Sequence, residues 1–368
     1  MRFAIRELSG KRAVAAALAF WLATLGARAD STTPDNSSDV FGSLPQTPSL
    51  FGDLGGLRTV LGKYGLTLSL TETSEVLGNL TGGARRGADY DGLTTATLQL
   101  DSKAAFGFDG GQFNVSALQI HGRNLSTDNL SVLQFVSGIE ADPATRLWEI
   151  WWDQKFGEHF DVKVGQQSLD TEFMTNPSGG YFLNAAFGWP ELPSADMPGG
   201  GPVYPLSVLG VRGRAQFGAA SVLAGLYNGS PAPHPGGDPQ LSDPYGVSFP
   251  LNGGVLAIAE AQYSVGDSRD AKALTGVYKI GAWCDSKIFD DLRNNSQGLP
   301  IGNPTNAQTP QSHRGDYAVY AVAEQMIWRG SETERTLSAF LRPVFTPLQD
   351  RNLVAFSVNG GLAPIPFI

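Results

Sequence analysis

The sequence predicts an all-β protein: a transmembrane antiparallel β-barrel with a short helical segment on its N-terminal side. Three observations carry this. The chain opens with an export signal, its connections alternate between short and long, and its charges keep to one face of several strands.

The export signal comes first. "MRFAIRELSGKRAVAAALAFWLATLGARAD" holds a basic start, an apolar run from Ala13 to Leu25 and the small-residue site Ala27-Arg28-Ala29. That order reads as a secretory signal peptide over residues 1–29, cleaved after Ala29. The apolar run is shorter than the ~20 residues a spanning helix needs. These residues carry five basic side chains against Glu7, so removing them takes the formal net charge from −9 to −13. An acidic exported chain is a poor partner for nucleic acid. Cys284 is the single cysteine, which excludes an internal disulfide framework and a cysteine-rich zinc site. No segment after the signal approaches 18 consecutive apolar residues. The 45 glycines, 10% aromatic and 17% charged residues suit a turn-rich β protein better than a helical bundle.

Residues 30–64 read as a polar segment followed by a short amphipathic helix, with Leu54, Leu57, Val60 and Leu61 at helical spacing. From residue 65 to 368 the chain reads as barrel. About twelve strands are readable: 66–77, 93–105, 112–121, 146–156, 160–167, 207–217, 220–228, 254–265, 273–284, 317–328, 336–345 and 352–358. Turns such as "GFDGG", "GEH" and "GA" alternate with long connections near 78–92, 122–145, 168–206, 229–253 and 285–316. Membrane barrels have that rhythm of short and long connections.

The faces sort as well. Phe160, Val162 and Val164 oppose Asp161, Lys163 and Gln167; Leu209, Val211, Ala215 and Phe217 oppose Arg212, Arg214 and Gln216. Ala257, Ala259, Ala261 and Tyr263 oppose Glu260 and Gln262. Successive side chains alternate across a strand, so one face meets lipid and the other lines the lumen. In "RLWEIWWDQKF", Trp148, Ile150, Trp152 and Phe156 share a face against Glu149, Trp151, Asp153 and Lys155. This places Trp148 and Trp152 at lipid or its interface, leaves Arg146 out of phase, and puts Trp151 with the charges. Trp151 is then either a lumen-facing stacking platform or a sign of a register shift. Segments 112–121 and 317–328 sort poorly. Aromatics near strand ends, including Tyr227, Trp283 and Trp328, favour the membrane reading over a soluble β-sandwich.

Several segments resemble the carbohydrate-selective porins of the OprB type: "LFGDLGGLRTVLGKYGLTL", "FNVSALQIHGRNLSTDNLSVLQFVSGIEA", "LWEIWWDQKFGEHFDVKVGQQSLDTEF", "FLNAAFGWPELP", "YPLSVLGVRGRAQF", "GAWCDSKIFDD", "YAVYAVAEQMIWR" and "DRNLVAFSVNGGL". They stand in the family's order over most of residues 49–362. The resemblance implies a 16-stranded barrel in the outer membrane of a Gram-negative bacterium, through which glucose and related sugars diffuse. It implies sugars, outer-membrane lipid and the barrel assembly machinery as partners, is compatible with a homo-oligomer, and implies no cofactor. Members continue beyond the "DRNL…GGL" segment with further strands, whereas this sequence stops at "LAPIPFI". Pro364 and Pro366 are not both expected in a laddered strand.

A sugar needs paired donors and acceptors and an aromatic surface, held weakly enough to let it leave. Arg212, Arg214, Glu149 and Trp189 are the first candidates, followed by Asp153, Lys155, Lys163, Gln167, Glu260, Gln262 and Trp151. Arginine offers a planar fork of donors, and carboxylates accept from hydroxyls. The competing role for each charge is a cross-strand pair that only holds the wall. The proline- and glycine-rich 168–206 connection either folds inward to narrow the pore or projects outward. Enzyme signatures are missing: there is no G-x-S-x-G, no P-loop and no H-E-x-x-H among His121, His159, His234 and His313. Asp170 and Glu172 read as a solvated or paired acidic couple rather than a hydrolytic pair. "DYDG" at Asp89–Gly92 lacks the other ligands of a calcium loop.

Overall fold

The structure is a computed structural model that describes residues 53–232, 237–266, 273–330 and 335–365. The expected signal peptide, the segment up to residue 52, and His234 lie outside these residues. The described chain forms one antiparallel sheet of twelve strands, each paired with the next in sequence. They are β1 (Leu66–Asn79), β2 (Gly87–Asp101), β3 (Gly111–Gly122), β4 (Ala144–Phe156), β5 (Phe160–Gln167) and β6 (Val208–Phe217). The series continues with β7 (Ala220–Asn228), β8 (Val255–Val265), β9 (Gly276–Asn295), β10 (Pro310–Arg329), β11 (Thr336–Phe345) and β12 (Phe356–Ile365). Among the described residues no ladder joins β1 to β12. No described helix is long and apolar enough to cross a membrane, which says nothing about crossing by strands.

All twelve strands read from the sequence are present, with instructive shifts. Residues 102–105 are not strand. The Asp101 carboxylate accepts from the Ala104 N–H at 2.9 Å and starts a short helix, Ser102–Phe106, which left-handed Gly107 ends. The helix expected near residue 60 spans Leu57–Gly62. Strands β9 and β10 run on into what read as a long connection, because a hairpin that passes beyond lipid can carry Asp290, Arg293 and Asn294 without an apolar outer face. The last strand starts later than expected, since the Leu353 and Val354 amides are spent on the Asp196 carboxylate at 2.8 and 3.2 Å. Pro364 does sit in that ladder, opposite Leu337. β12 is an edge strand among the described residues, where a missing N–H is tolerated.

The outer face is apolar over most of the wall. Val164, Val211, Val222, Leu226, Ile280 and Val319 are exposed on it. Rings gather toward the short-turn end: Phe156, Phe160 and Phe217 are exposed, Phe160 meets Phe217 edge-on at 5.6 Å, and Trp152 lies 6.4 Å from Phe108. Cys284 is exposed on this face together with Ile280, with which it shares parity.

The inner face carries its own core. Trp283, Tyr320, Val322, Val344, Leu256 and Tyr227 are buried there against Phe173, Met174 and Leu192 of the 168–206 connection. Each fully buried side chain of this size contributes roughly 1.5–3 kcal/mol. Tyr227 and Trp283, noted in the sequence as strand-end aromatics, thus pack inward rather than in an interfacial girdle. It also explains why 317–328 sorted poorly: Ala318, Tyr320 and Val322 are apolar because a loop, not water, covers them. Gly210 and Gly225 lie under the Tyr227 ring, where any Cβ would collide with it.

Strand β4 answers the question its tryptophans posed. Ser116 pairs with Glu149 but Ala117 pairs with Leu147, so Trp148 is an extra residue. Such a bulge flips the parity of everything beyond it. Arg146 and Glu149, three apart, are therefore both buried on the inner side. Trp148 does not face lipid: it meets Tyr204 edge-on at 6.4 Å and packs with Leu118 and Ile120. Trp152 keeps its outer position beside Phe113.

Candidate pore-constriction site

The 168–206 connection turns into the lumen and crosses it. Its start is fixed by β4, where the Glu149 carboxylate accepts from the Ser168 N–H at 2.9 Å. Glu172 then enters a buried charge network. Lys163 pairs with it, and Arg212 Nε lies 2.6 Å from its Oε2. Arg212 also pairs with Asp161 and, at 3.3 Å, with Asp153. Burial alone would push the Glu172 carboxyl up, but Lys163 and Arg212 outweigh it and hold the group below its ordinary range.

The far side of the loop is held without carboxylate–guanidinium pairs. Glu260 accepts from the Met174 N–H at 2.8 Å and from the Tyr320 hydroxyl at 2.9 Å. Lys279 Nζ donates to the Thr175 carbonyl at 2.8 Å, and Ser178 donates to Glu324 at 2.6 Å. Arg342 has 1% exposure and donates to four loop carbonyls, those of Met174, Ala186, Phe187 and Gly188, at 2.7–3.1 Å. Phe182 and Phe187 stack at 4.6 Å and abut Phe340 of β11.

Two spaces flank the loop. Toward the long-loop end, a cavity of about 330 Å³ is lined by Trp189, Glu191, Asp170, Glu140, Tyr204 and Gln240 among others. The Trp189 indole N–H is buried there without a hydrogen-bond partner. Burial raises the Asp170 carboxyl, against the Ser168 hydroxyl and the Tyr204 amide that bond it, and raises Glu191 as well. Toward the short turns, a polar space of about 300 Å³ is lined by Arg214, Gln216, Ser221, Gln262, Thr175 and Lys279 among others.

The eleven predicted site residues divide by this geometry. Arg212 has 1% exposure and its guanidinium is taken by three carboxylates, so it ties wall to loop. Asp153 is one of those carboxylates. Lys163 is buried between Glu172 and the Trp151 ring, 4.3 Å from its centroid. That cation occupies the ring face Trp151 would need for stacking. Gln167 is spent on the Gly210 carbonyl at 3.0 Å, while Glu149 and Glu260 hold loop amides. Lys155 is exposed at the short-turn end, away from both spaces. Arg214, Gln262 and Trp189 line the spaces. Of the acidic couple, Glu172 is paired with Lys163 and Arg212, whereas Asp170 is buried and accepts from the Ser168 hydroxyl and the Tyr204 amide. Asp89 of "DYDG" accepts from Asn129 at 2.7 Å. Arg342, Lys279, Glu324 and Glu191 were missed. Arg342 shares inner parity with Phe340 and Val344, a signal the sequence did contain.

An antiparallel meander with an apolar outer face, aromatics gathered at one end and a loop packed across a charged inner face is the wall of a transmembrane β-barrel. The model of the carbohydrate-selective porin OprB family matches residues 85–365, and the chain belongs to that family. Porin B of Pseudomonas aeruginosa is 24% identical over 312 residues, which are 80% of this chain and 65% of that protein. The chain thus spans 65% of the length of this curated relative. A solved structure described as the high-pH structure of Pseudomonas putida OprB superposes with a TM-score of 0.75 at 25% identity, over 88% of this chain and 76% of that one.

Proposed function

We propose that this chain forms the wall and constriction of an outer-membrane channel that lets glucose and similar sugars diffuse, with no chemical step. The observation that carries the proposal is the inward loop with a space lined by polar groups on each side, the upper one also bearing the Trp189 and Tyr204 rings. Water and sugar hydroxyls exchange partners in such spaces at little cost, while the buried ties keep the loop from collapsing onto the passage. Trp189 and Glu191 offer a donor and an acceptor in the upper space, and Arg214 and Gln262 do so in the lower one. Family membership supports the substrate class, since the model is described as carbohydrate-selective. The apolar outer face suits outer-membrane lipid, the strand meander suits the barrel assembly machinery, and the acidic balance argues against nucleic acid. Residues 1–29 serve as the export signal in this reading, residues 30–64 as a periplasmic segment and residues 65–368 as barrel.

The test is conductance in planar bilayers. Single-channel current should fall as glucose is added on either side. A correctly folded protein that conducts ions but ignores glucose, or does not conduct, overturns the proposal.

A further inference from the structure

The β9–β10 hairpin runs on past the apolar wall, and three side chains with metal-binding atoms meet at its far part. Asp291 comes from β9, His313 from β10 and Asp350 from the β11–β12 connection. One atom from each lies within 4.8 Å of the other two. His313 Nε2 stands 2.8 Å from Asp291 Oδ2 and 3.6 Å from Asp350 Oδ2. No sequence motif announces this group, because three separate segments supply one residue each.

The group differs from a solvated acidic patch. A ring nitrogen stands between two carboxylates, and the Asp291 side chain is only 3% exposed. Asp291 Oδ1 is spent on the Arg293 and Asn294 amides at 2.7 and 2.8 Å, which leaves Oδ2 for the ring. Asp350 is oriented by Arg351, whose Nε and Nη2 lie 2.9 and 3.1 Å from its two oxygens. Arg351 is itself anchored on the Gly315 carbonyl at 2.7 Å, and the Asp350 carbonyl accepts from the Leu292 N–H at 2.7 Å. Outer partners of this kind fix the direction of metal ligands. A carboxylate oxygen has two lone pairs, so Asp350 Oδ2 keeps its guanidinium bond and still has one to give. The Asp350 side chain is 38% exposed, which leaves a path in from solvent.

The donor set selects the cation. Calcium and magnesium take oxygen ligands, whereas one imidazole with two carboxylates suits zinc. Ligand atoms 2.0–2.2 Å from a tetrahedral zinc stand about 3.3–3.5 Å apart. The 3.6 Å separation is close to that edge, and the 2.8 Å separation reaches it by opening about 0.5 Å.

We propose that Asp291, His313 and Asp350 bind one zinc ion, with water as the fourth ligand. Zinc takes the place on His313 Nε2 that the hydrogen-bonded proton holds, and the neutral ring carries its proton on Nδ1. The ion staples the end of the β9–β10 hairpin to the β11–β12 connection. None of the three residues lines either space beside the constriction loop, so the site is independent of what passes through the pore.

The experiment uses the full-length protein in detergent, without a polyhistidine tag, in a Cys284→Ser background and stripped with chelator. Calorimetric titration with zinc chloride should show one ion per chain, which calcium at the same concentration does not displace. X-ray absorption at the zinc edge should show nitrogen and oxygen neighbours at about 2.0–2.2 Å with imidazole scattering. His313→Gln and Asp350→Asn should each weaken zinc binding at least ~10-fold, the loss that even an outer partner causes. His159→Gln, in the turn between β4 and β5, should leave it unchanged. Heat-modifiable migration reports whether each variant is folded. If His313→Gln does not fold, Asp350→Asn and the spectrum of the parent decide. Absence of saturable zinc binding, a spectrum without imidazole, displacement by calcium, or undiminished binding in a folded His313→Gln or Asp350→Asn overturns the proposal. So does an equal loss in His159→Gln.

Discussion

The constriction loop is held differently on its two sides. Toward β4–β6, full charges meet: Glu172 sits between Lys163 and Arg212, and Arg212 also serves Asp153 and Asp161. Toward β8–β12, the ties are a buried apolar core, Arg342, whose guanidinium meets neutral carbonyls, and the single charges of Glu260, Lys279 and Glu324 on neutral loop groups, with Lys279 3.8 Å from Glu260. The first arrangement neutralises several buried charges at once, and removing one partner exposes the rest. The second satisfies backbone groups at the loop's turn, and removing the donor leaves neutral acceptors. The two sides should therefore differ in cost and in pH dependence.

Arg212→Ala should be the larger lesion. It leaves three partly buried carboxylates without their main cation, a loss of about 3–5 kcal/mol in unfolding experiments. The Glu172 carboxyl is held low in the native wall, so its stabilisation is present at neutral pH and is lost as pH falls below the ordinary carboxylate range. In Arg212→Ala that acid loss should shrink, and the gap to the parent should narrow at low pH.

Arg342→Met comes next. It strips the donor from four loop carbonyls, at a cost of about 1–3 kcal/mol. The loss should be the same at pH 4 and pH 7, and glucose block should weaken as the loop loosens. Equal losses with equal pH dependence in the two variants would break the comparison.

A smaller effect is expected in the upper cavity. Trp189→Phe keeps the ring and removes the unpartnered N–H. The glucose concentration for half-block should rise about 2- to 10-fold, the worth of one hydrogen bond. No change would remove Trp189 from the sugar path.

The smallest effect concerns the clasp between the loop and the β11–β12 connection. Burial raises the Asp196 carboxyl to about 6, although two amides bond it. The native state therefore prefers the protonated form, and stability from this group is lost as pH rises from about 4 through about 6. Asp196→Asn keeps an acceptor and cannot titrate, so its melting temperature should vary less than the parent's across that window.

The wall was legible in the sequence because lipid imposes a strict rule on alternate residues. Asp161, Lys163 and Arg212 obeyed that rule, and the glycine turns marked the strand ends. Three features obeyed other forces. The Trp148 bulge showed in the sequence only as Arg146 falling out of phase, and the pairing of Ser116 with Glu149 beside that of Ala117 with Leu147 locates it. The direction of the 168–206 loop was illegible, since proline and glycine suit an inward or an outward path equally. The roles of Arg212 and Lys163 followed from that direction: both lay on the correct face, but a loop carboxylate, Glu172, claims them before a sugar can. Arg342 was legible by parity and hidden by context, because the four carbonyls it serves belong to a loop about 160 residues away.

Whether the loop sits across the lumen is the claim on which the rest depends. Cross-linking Ser178→Cys to Glu324→Cys in a Cys284→Ser background tests it directly, since Ser178 Oγ lies 2.6 Å from the Glu324 carboxylate. A short thiol cross-linker should join the two in the folded protein, leaving conductance and glucose block unchanged. A Ser178→Cys thiol that escapes the cross-link and reacts instead with a membrane-impermeant maleimide at the cell surface would contradict the account.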